Sequence, residues 1–210
     1  MTRKASAQRT RSVHNSGQLI MSPAGVGLLI QRQLRHPPLL GALSSVDGGH
    51  IARVRMVVIR HFDMRDLTLQ ISADRRSAKV RQLSAYHKSE LCLWLPELST
   101  QLRLALSWRV ITAGVARRSA PDLIILQQLW RHHKVESRHL FGHAQPGRAV
   151  SMRHDRDTPH EPAANAPPAN FAVLLGRILA IDALVLSKPQ HVRYRHRRIA
   201  DHWETLKINP

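Results

Sequence analysis

Carboxylates are scarce in this chain: 14 Asp and Glu stand against 32 Lys and Arg, for a formal charge of +18, and no acid precedes Asp47. Such an imbalance creates a self-repelling positive field and favours a polyanionic partner, whether nucleic acid, an acidic lipid surface or an acidic protein. It names a class of partner rather than a reaction. Aromatics are scarce too, with three Phe, two Tyr and four Trp, so the core must rest on Leu, Ile, Val and Ala, which bury less area per residue. A single cysteine, Cys92, excludes an internal disulfide and any multi-cysteine zinc site. Its neighbours Leu91, Leu93 and Trp94 mark it as a small packed residue rather than a nucleophile. Long apolar runs are missing as well. The best, Phe171 to Leu186, carries Arg177 and Asp182 and falls short of the roughly 20 residues a membrane-crossing helix needs, so it reads as a core helix.

Catalytic signatures are also missing. No Ser sits in a GxSxG elbow, and the Gly25-Val26-Gly27 stretch has neither a third glycine nor a following Lys, which excludes a Walker loop and a dinucleotide fingerprint. With 14 acids and no context to choose two of them, no glycosidase pair is assigned. His139 and His143 have the spacing that aligns two imidazoles on a helix, next to His132 and His133, but Gly142 interrupts them and no third ligand is fixed. These read as surface or capping histidines. His154, Asp155, Asp157, His160 and Glu161 gather ligand types between Pro159 and Pro162 without a framework to hold them. The sequence therefore predicts no catalytic residue, no metal and no cofactor.

What is present supports a folded chain of one domain with appended segments. Hydrophobic residues make up 43%, close to the globular norm of about 45–50%, which excludes wholesale disorder. Residues 1–23 are basic, Ser-containing and without apolar period, and are expected to be flexible; a cytoplasmic location is favoured, with organellar targeting as the other reading of that leader. Ser22-Pro23 predicts a helix start, stopped by His36-Pro37-Pro38 and weakened by Gly25 and Gly27. The runs IARVRMVVIR from Ile51 and DLTLQIS from Asp66 alternate as strands that can pair antiparallel, and Leu102 to Val110 alternates as a third. Asp74 to Tyr86 reads as a short helix with Ser72 as its cap, and Ser119-Ala120-Pro121-Asp122 opens another running to about Arg138.

The expected fold is thus α+β: a small mixed helix and sheet core over 24–140, a Pro-rich linker over 141–169, and over 170–210 a helix followed by a basic helical tail. Arg supplies most of the 32 basic side chains, and its planar fork suits phosphate. Arg193, Tyr194, Arg195, Arg197, Arg198 and Trp203 place cations and rings in one stretch, as phosphate contact with base stacking requires. Period-2 geometry places Arg53 with Arg55, and Arg103 with Arg109, on the polar side of their strands as a second basic set. The leading expectation is a non-enzymatic protein that binds RNA or DNA through Arg–phosphate contacts. The alternatives are a small interaction or membrane-surface protein, and a translated reading frame with no selected function.

Overall fold

The computed structural model describes residues 18–36, 38–149, 166–186 and 190–210. The chain forms a closed antiparallel barrel of six strands rather than a mixed helix and sheet core. The strands are β1 (Leu39–Val46), β2 (Ala52–Asp63), β3 (Thr68–Asp74), β4 (Lys88–Leu95), β5 (Thr100–Thr112) and β6 (Phe171–Val185). Their order around the barrel is β3-β2-β1-β4-β5-β6, and β3 pairs with β6 from Thr68↔Arg177 to Asp74↔Phe171 to close it. Closure pairs every strand on both sides, although the β2–β3 ladder covers only the stretch from Ile59↔Ile71 to Asp63↔Thr68. A hairpin of β7 (Val192–Ile199) and β8 (His202–Ile208) extends the sheet from the far half of β6.

Alternation decides what points inward. Leu102, Leu104, Leu106 and Trp108 of β5, Leu91, Leu93 and Leu95 of β4, and Leu69 and Ile71 of β3 are buried in one core with the inward residues of β6. The three strands expected from alternation are therefore present, and β2 pairs antiparallel with β3 across a register shift between Ile59 and His61.

The core helix expected at Phe171 to Leu186 is strand β6, and the expected basic helical tail is the β7–β8 hairpin. Both faces of the first part of β6 are covered, which hides its period of two. Leu174 enters the barrel core, whereas Phe171 and Val173 pack with Leu126, Leu129 and Trp130 of an outer helix. A run buried on both faces looks the same whether strand or helix. Its backbone is satisfied by β3 and β5 at one end and by β5 and β7 at the other.

Among the described residues, helices α1 (Pro23–Leu34), α2 (Ala78–Ala85), α3 (Ala113–Ala116), α4 (Ala120–Arg131) and α5 (Val135–His139) decorate the barrel. The Ser-Pro starts act as expected: Ser22 accepts from the Gly25 amide at 3.1 Å and Ser119 from the Asp122 amide at 3.4 Å. Helix α2 starts at Ala78 after Ser77; Ser72 is not its cap but lies in β3. Packing begins before residue 23, since Ile20 is fully buried. The expected linker over 141–169 lies largely outside the described residues. Its two described ends meet, because the Asn170 amide donates to the Phe141 carbonyl at 2.8 Å. No helix among the described residues is long and apolar enough to cross a membrane.

Candidate cofactor site

The barrel parts at one seam. The β2–β3 ladder stops at Ile59↔Ile71. Beyond it, Met56, Val57 and Val58 of β2 and Ser72, Ala73 and Asp74 of β3 line a cavity of about 310 Å³. Each strand is paired on its other edge, β2 with β1 and β3 with β6. The two edges facing the cavity therefore have no ladder partner across it. Backbone amides and carbonyls inside a protein are almost always paired, so the seam is fitted to a ligand that carries donors and acceptors of its own.

Two cations reach the same cavity: Arg60, at the β2 bulge, and Lys79, in the first turn of α2. Among the described residues neither forms an ion pair with a carboxylate. Burial pushes the Lys79 ammonium below its ordinary pKa, and Arg55 presses the same way against a smaller opposing pull from Asp74. Just ahead of Lys79, the Ser77 hydroxyl is buried with no hydrogen-bond partner. The first turn of α2 holds no acid, and its leading amides have no partner within the helix. An orphaned hydroxyl, an unneutralised ammonium and the positive end of a helix thus lie within one turn of chain, and a phosphate group calls for the same three features.

The remaining wall comes from α4, α5 and the turn after them. His133 is buried; its Nδ1–H donates to the Leu129 carbonyl at 2.7 Å, which leaves Nε2 to accept from the Ser72 hydroxyl at 2.9 Å. Burial lowers the His133 pKa, the Leu129 carbonyl raises it by less, and Arg60, Arg138 and His132 push it down further. The ring is therefore a neutral acceptor that fixes Ser72. His132 bonds instead to the Gln128 carbonyl at 2.7 Å, and among the described residues no three His, Cys, Asp or Glu side chains converge as a metal group.

The residues singled out from the sequence lie elsewhere. Tyr194 and Trp203 are half-buried and pack against the barrel core. Arg193 pairs with Asp182 at 2.8 Å, Arg195 stands 3.9 Å from the same carboxylate, Arg198 reaches the Ala200 carbonyl at 3.5 Å, and Arg197 is exposed. The second basic set does not share a face. Arg103 and Arg109 project outward, to Glu90 and Asp122. Arg53 and Arg55 have the inward parity of Val57 and Ile59, so Val54 and Met56 are the exposed side of β2. Arg53 pairs with Asp47 at 2.8 Å, and Arg55 bonds to Ser45 and Gln82. The sequence reading missed Arg60, Ser72, Ser77, Lys79 and Ser137. The one local signal was Ser77-Ala78-Lys79, a hydroxyl and a cation at a helix start directly after a strand.

Residues 29–112 match the family model described as pyridoxamine 5′-phosphate oxidase, FMN-binding domain. A pyridoxamine 5′-phosphate oxidase-related, FMN-binding protein from Nostoc punctiforme superposes with a TM-score of 0.75 at 26% identity, covering 88% of this chain and 94% of that one. The fold is the split barrel of FMN-binding proteins. PhzG from Burkholderia lata, solved with tetrahydrophenazine-1-carboxylic acid, has the same fold, with a TM-score of 0.67 at 17% identity over 87% of this chain and 91% of its own. The pyridoxine/pyridoxamine 5′-phosphate oxidase 2 of Arabidopsis thaliana is 26% identical over 162 residues, 74% of this chain and 79% of that protein. These likenesses overturn the expectation of a nucleic-acid binder and point to a flavin-binding, oxidoreductase-like protein. The matched stretch contains Arg60, Ser72, Ser77 and Lys79.

Proposed function

We propose that the chain binds FMN at the parted β2–β3 seam and is a flavin-dependent oxidoreductase. The observation that carries this reading is the coincidence, in one cavity, of two unpaired strand edges with the unneutralised Arg60 and Lys79. Ser77, Lys79 and the start of α2 would hold the phosphate. The facing edges at Met56–Val58 and at Ser72 and Ala73 would take the ring system, whose polar rim alternates donors and acceptors. The apolar side chains of Ile71, Leu140 and Phe141 would exclude water from it. Bound FMN supplies a two-electron acceptor, and the protein contributes binding, orientation and electrostatics.

Titration of the purified chain with FMN tests the reading. Quenching of the free flavin's fluorescence at one equivalent per chain is expected, and Lys79→Met should weaken binding about tenfold or more, as loss of a charge-assisted phosphate contact does. Absence of saturable FMN binding would overturn it. Pyridoxamine 5′-phosphate is the first substrate to offer, because the Arabidopsis relative is named for its oxidation.

A further inference from the structure

The cavity wall formed by Leu140–Pro146 has little regular structure of its own: one 3₁₀ turn, Leu140–Gly142, followed by residues in no strand or helix. Yet Leu140, Phe141 and Pro146 line the cavity. Two side chains from outside the segment hold its backbone, and both start from Asp74. The Asp74 carboxylate is 10% exposed and accepts from the Arg76 amide at 2.8 Å, from Arg76 Nε at 3.0 and 3.1 Å, from Arg76 Nη2 at 2.6 Å and from Asn170 Nδ2 at 3.1 Å. Each donor then makes a second bond to the segment. Arg76 Nη2 reaches the His143 carbonyl at 3.1 Å, and Asn170 Nδ2 reaches the Phe141 carbonyl at 2.8 Å. The carboxylate thus aims two donors at one short stretch of chain.

The charge arrangement separates this role from ligand contact. A free carboxylate on the wall would repel a phosphate held by Lys79. Burial alone would raise the Asp74 pKa, but the Arg76 side chain and amide and the Asn170 amide together hold it below the ordinary value. Its negative charge is therefore matched by Arg76, and Arg60 and Lys79 keep theirs for a ligand. Phe141 adds an apolar half to the clasp, with its ring 5.1 Å from that of Phe171 and 5.7 Å from that of Trp130.

We propose that Asp74 is a positioning residue: through Arg76 and Asn170 it clasps the Leu140–Pro146 strap against the barrel, and the clasp sets how fast a bound flavin leaves. The second half of this statement rests on the flavin reading above. Association should depend on the phosphate cradle and dissociation on the strap, so the two rate constants separate the roles.

The test uses the full chain, FMN as the probe, and two variants that act on different arms. Asp74→Asn keeps the size of the side chain but loses the ionic pairing to Arg76, and Asn170→Ala removes the link to Phe141. For both, stopped-flow fluorescence should show an unchanged FMN association rate and a dissociation rate raised about tenfold. In the ligand-free variants, amide hydrogen exchange should quicken in 140–146 while the β4 and β5 amides stay protected. Unchanged exchange in 140–146 would show that the clasp does not exist. Faster exchange with an unchanged dissociation rate, or a change confined to association, would overturn its control of flavin release. Failure of the wild-type chain to take up FMN would defeat the flavin reading and with it control of release, while the exchange measurement still decides whether Asp74 holds the strap.

Discussion

His196 and Ile20 stand 176 positions apart in the chain and share a hydrogen bond of 2.9 Å, from the imidazole Nε2–H to the backbone carbonyl. With Nε2 committed as donor, Nδ1 accepts from the Thr205 hydroxyl at 2.9 Å. The ring is fully buried and ties the turn before α1 to both strands of the C-terminal hairpin. His196→Ala should destabilise the protein by about 3 kcal/mol, since it opens a cavity and leaves the buried Ile20 carbonyl without its donor. Thr205→Val, which removes one of the two bonds and keeps the shape, should cost about 1 kcal/mol. Urea denaturation of the three proteins checks both values, and equal midpoints would show that the histidine is not a tie.

The same residue makes a prediction about pH. Burial lowers the His196 pKa, against a smaller opposing effect of the Ile20 carbonyl, and burial likewise lowers that of His133. Between the lowered folded values and the ordinary 6.5, the unfolded chain binds more protons than the folded one, so stability rises with pH there. The contribution is complete above pH 6.5 and is lost as the pH falls through the folded values. Melting temperatures should therefore drop from pH 7 to pH 5 more steeply in the wild type than in His196→Gln. Parallel curves would contradict this account.

His133 also faces the candidate cavity, where its unprotonated Nε2 receives the Ser72 hydroxyl. Ser72→Ala leaves that nitrogen without its donor and removes a polar group from the seam. Because the Ser72 side chain is directed to His133 rather than to the cradle at Lys79, FMN affinity should fall less than about tenfold, against tenfold or more for Lys79→Met. Parallel FMN titrations of the two variants compare them. A larger loss for Ser72→Ala would make the hydroxyl a direct flavin contact.

Much of this architecture was legible where a local rule operates. Ser22-Pro23 and Ser119-Ala120-Pro121 start helices because a side-chain acceptor and a fixed φ act within one turn. β2, β3 and β5 alternate because one face is buried. β6 was not legible, since α4 covers the face that should have been polar. The basic residues misled for a related reason: strand register brings Asp182 beside Arg195 and next to Arg193, so few carboxylates neutralise the stretch that looked most cationic. The cavity draws on residues 56–60, 71–79 and 133–146, three stretches distant in the chain, and it exists because the β2–β3 ladder stops at Ile59↔Ile71. That is a tertiary property, and no residue type announces it.

Glycines that weaken local propensity show the same conflict, and Gly25 is the clearest. Within α1 it costs helix stability, yet a Cβ there would stand 2.0 Å from the Leu19 carbonyl oxygen. The obstruction is backbone, so Gly25→Ala must displace the turn that carries Ile20 and, with it, the partner of His196. The expected loss is about 1–3 kcal/mol, as for other overpacked sites. It should be smaller in a His196→Ala background, where that tie is already broken.

Gly176 meets side chains instead: a Cβ would lie 2.7 Å from Trp108 Cζ3 and 2.9 Å from Leu106 Cδ2, inside the barrel. Trp108 cannot swing aside freely, because its Nε1–H donates to the Ser89 hydroxyl at 2.8 Å. Gly176→Ala should therefore also cost about 1–3 kcal/mol and shift the tryptophan emission, whereas Gly48→Ala, with nothing within 4 Å, should do neither. Releasing the ring with Ser89→Ala should recover part of the Gly176→Ala loss. If the two substitutions are simply additive in urea melts, the hydroxyl is not what holds the indole against Gly176.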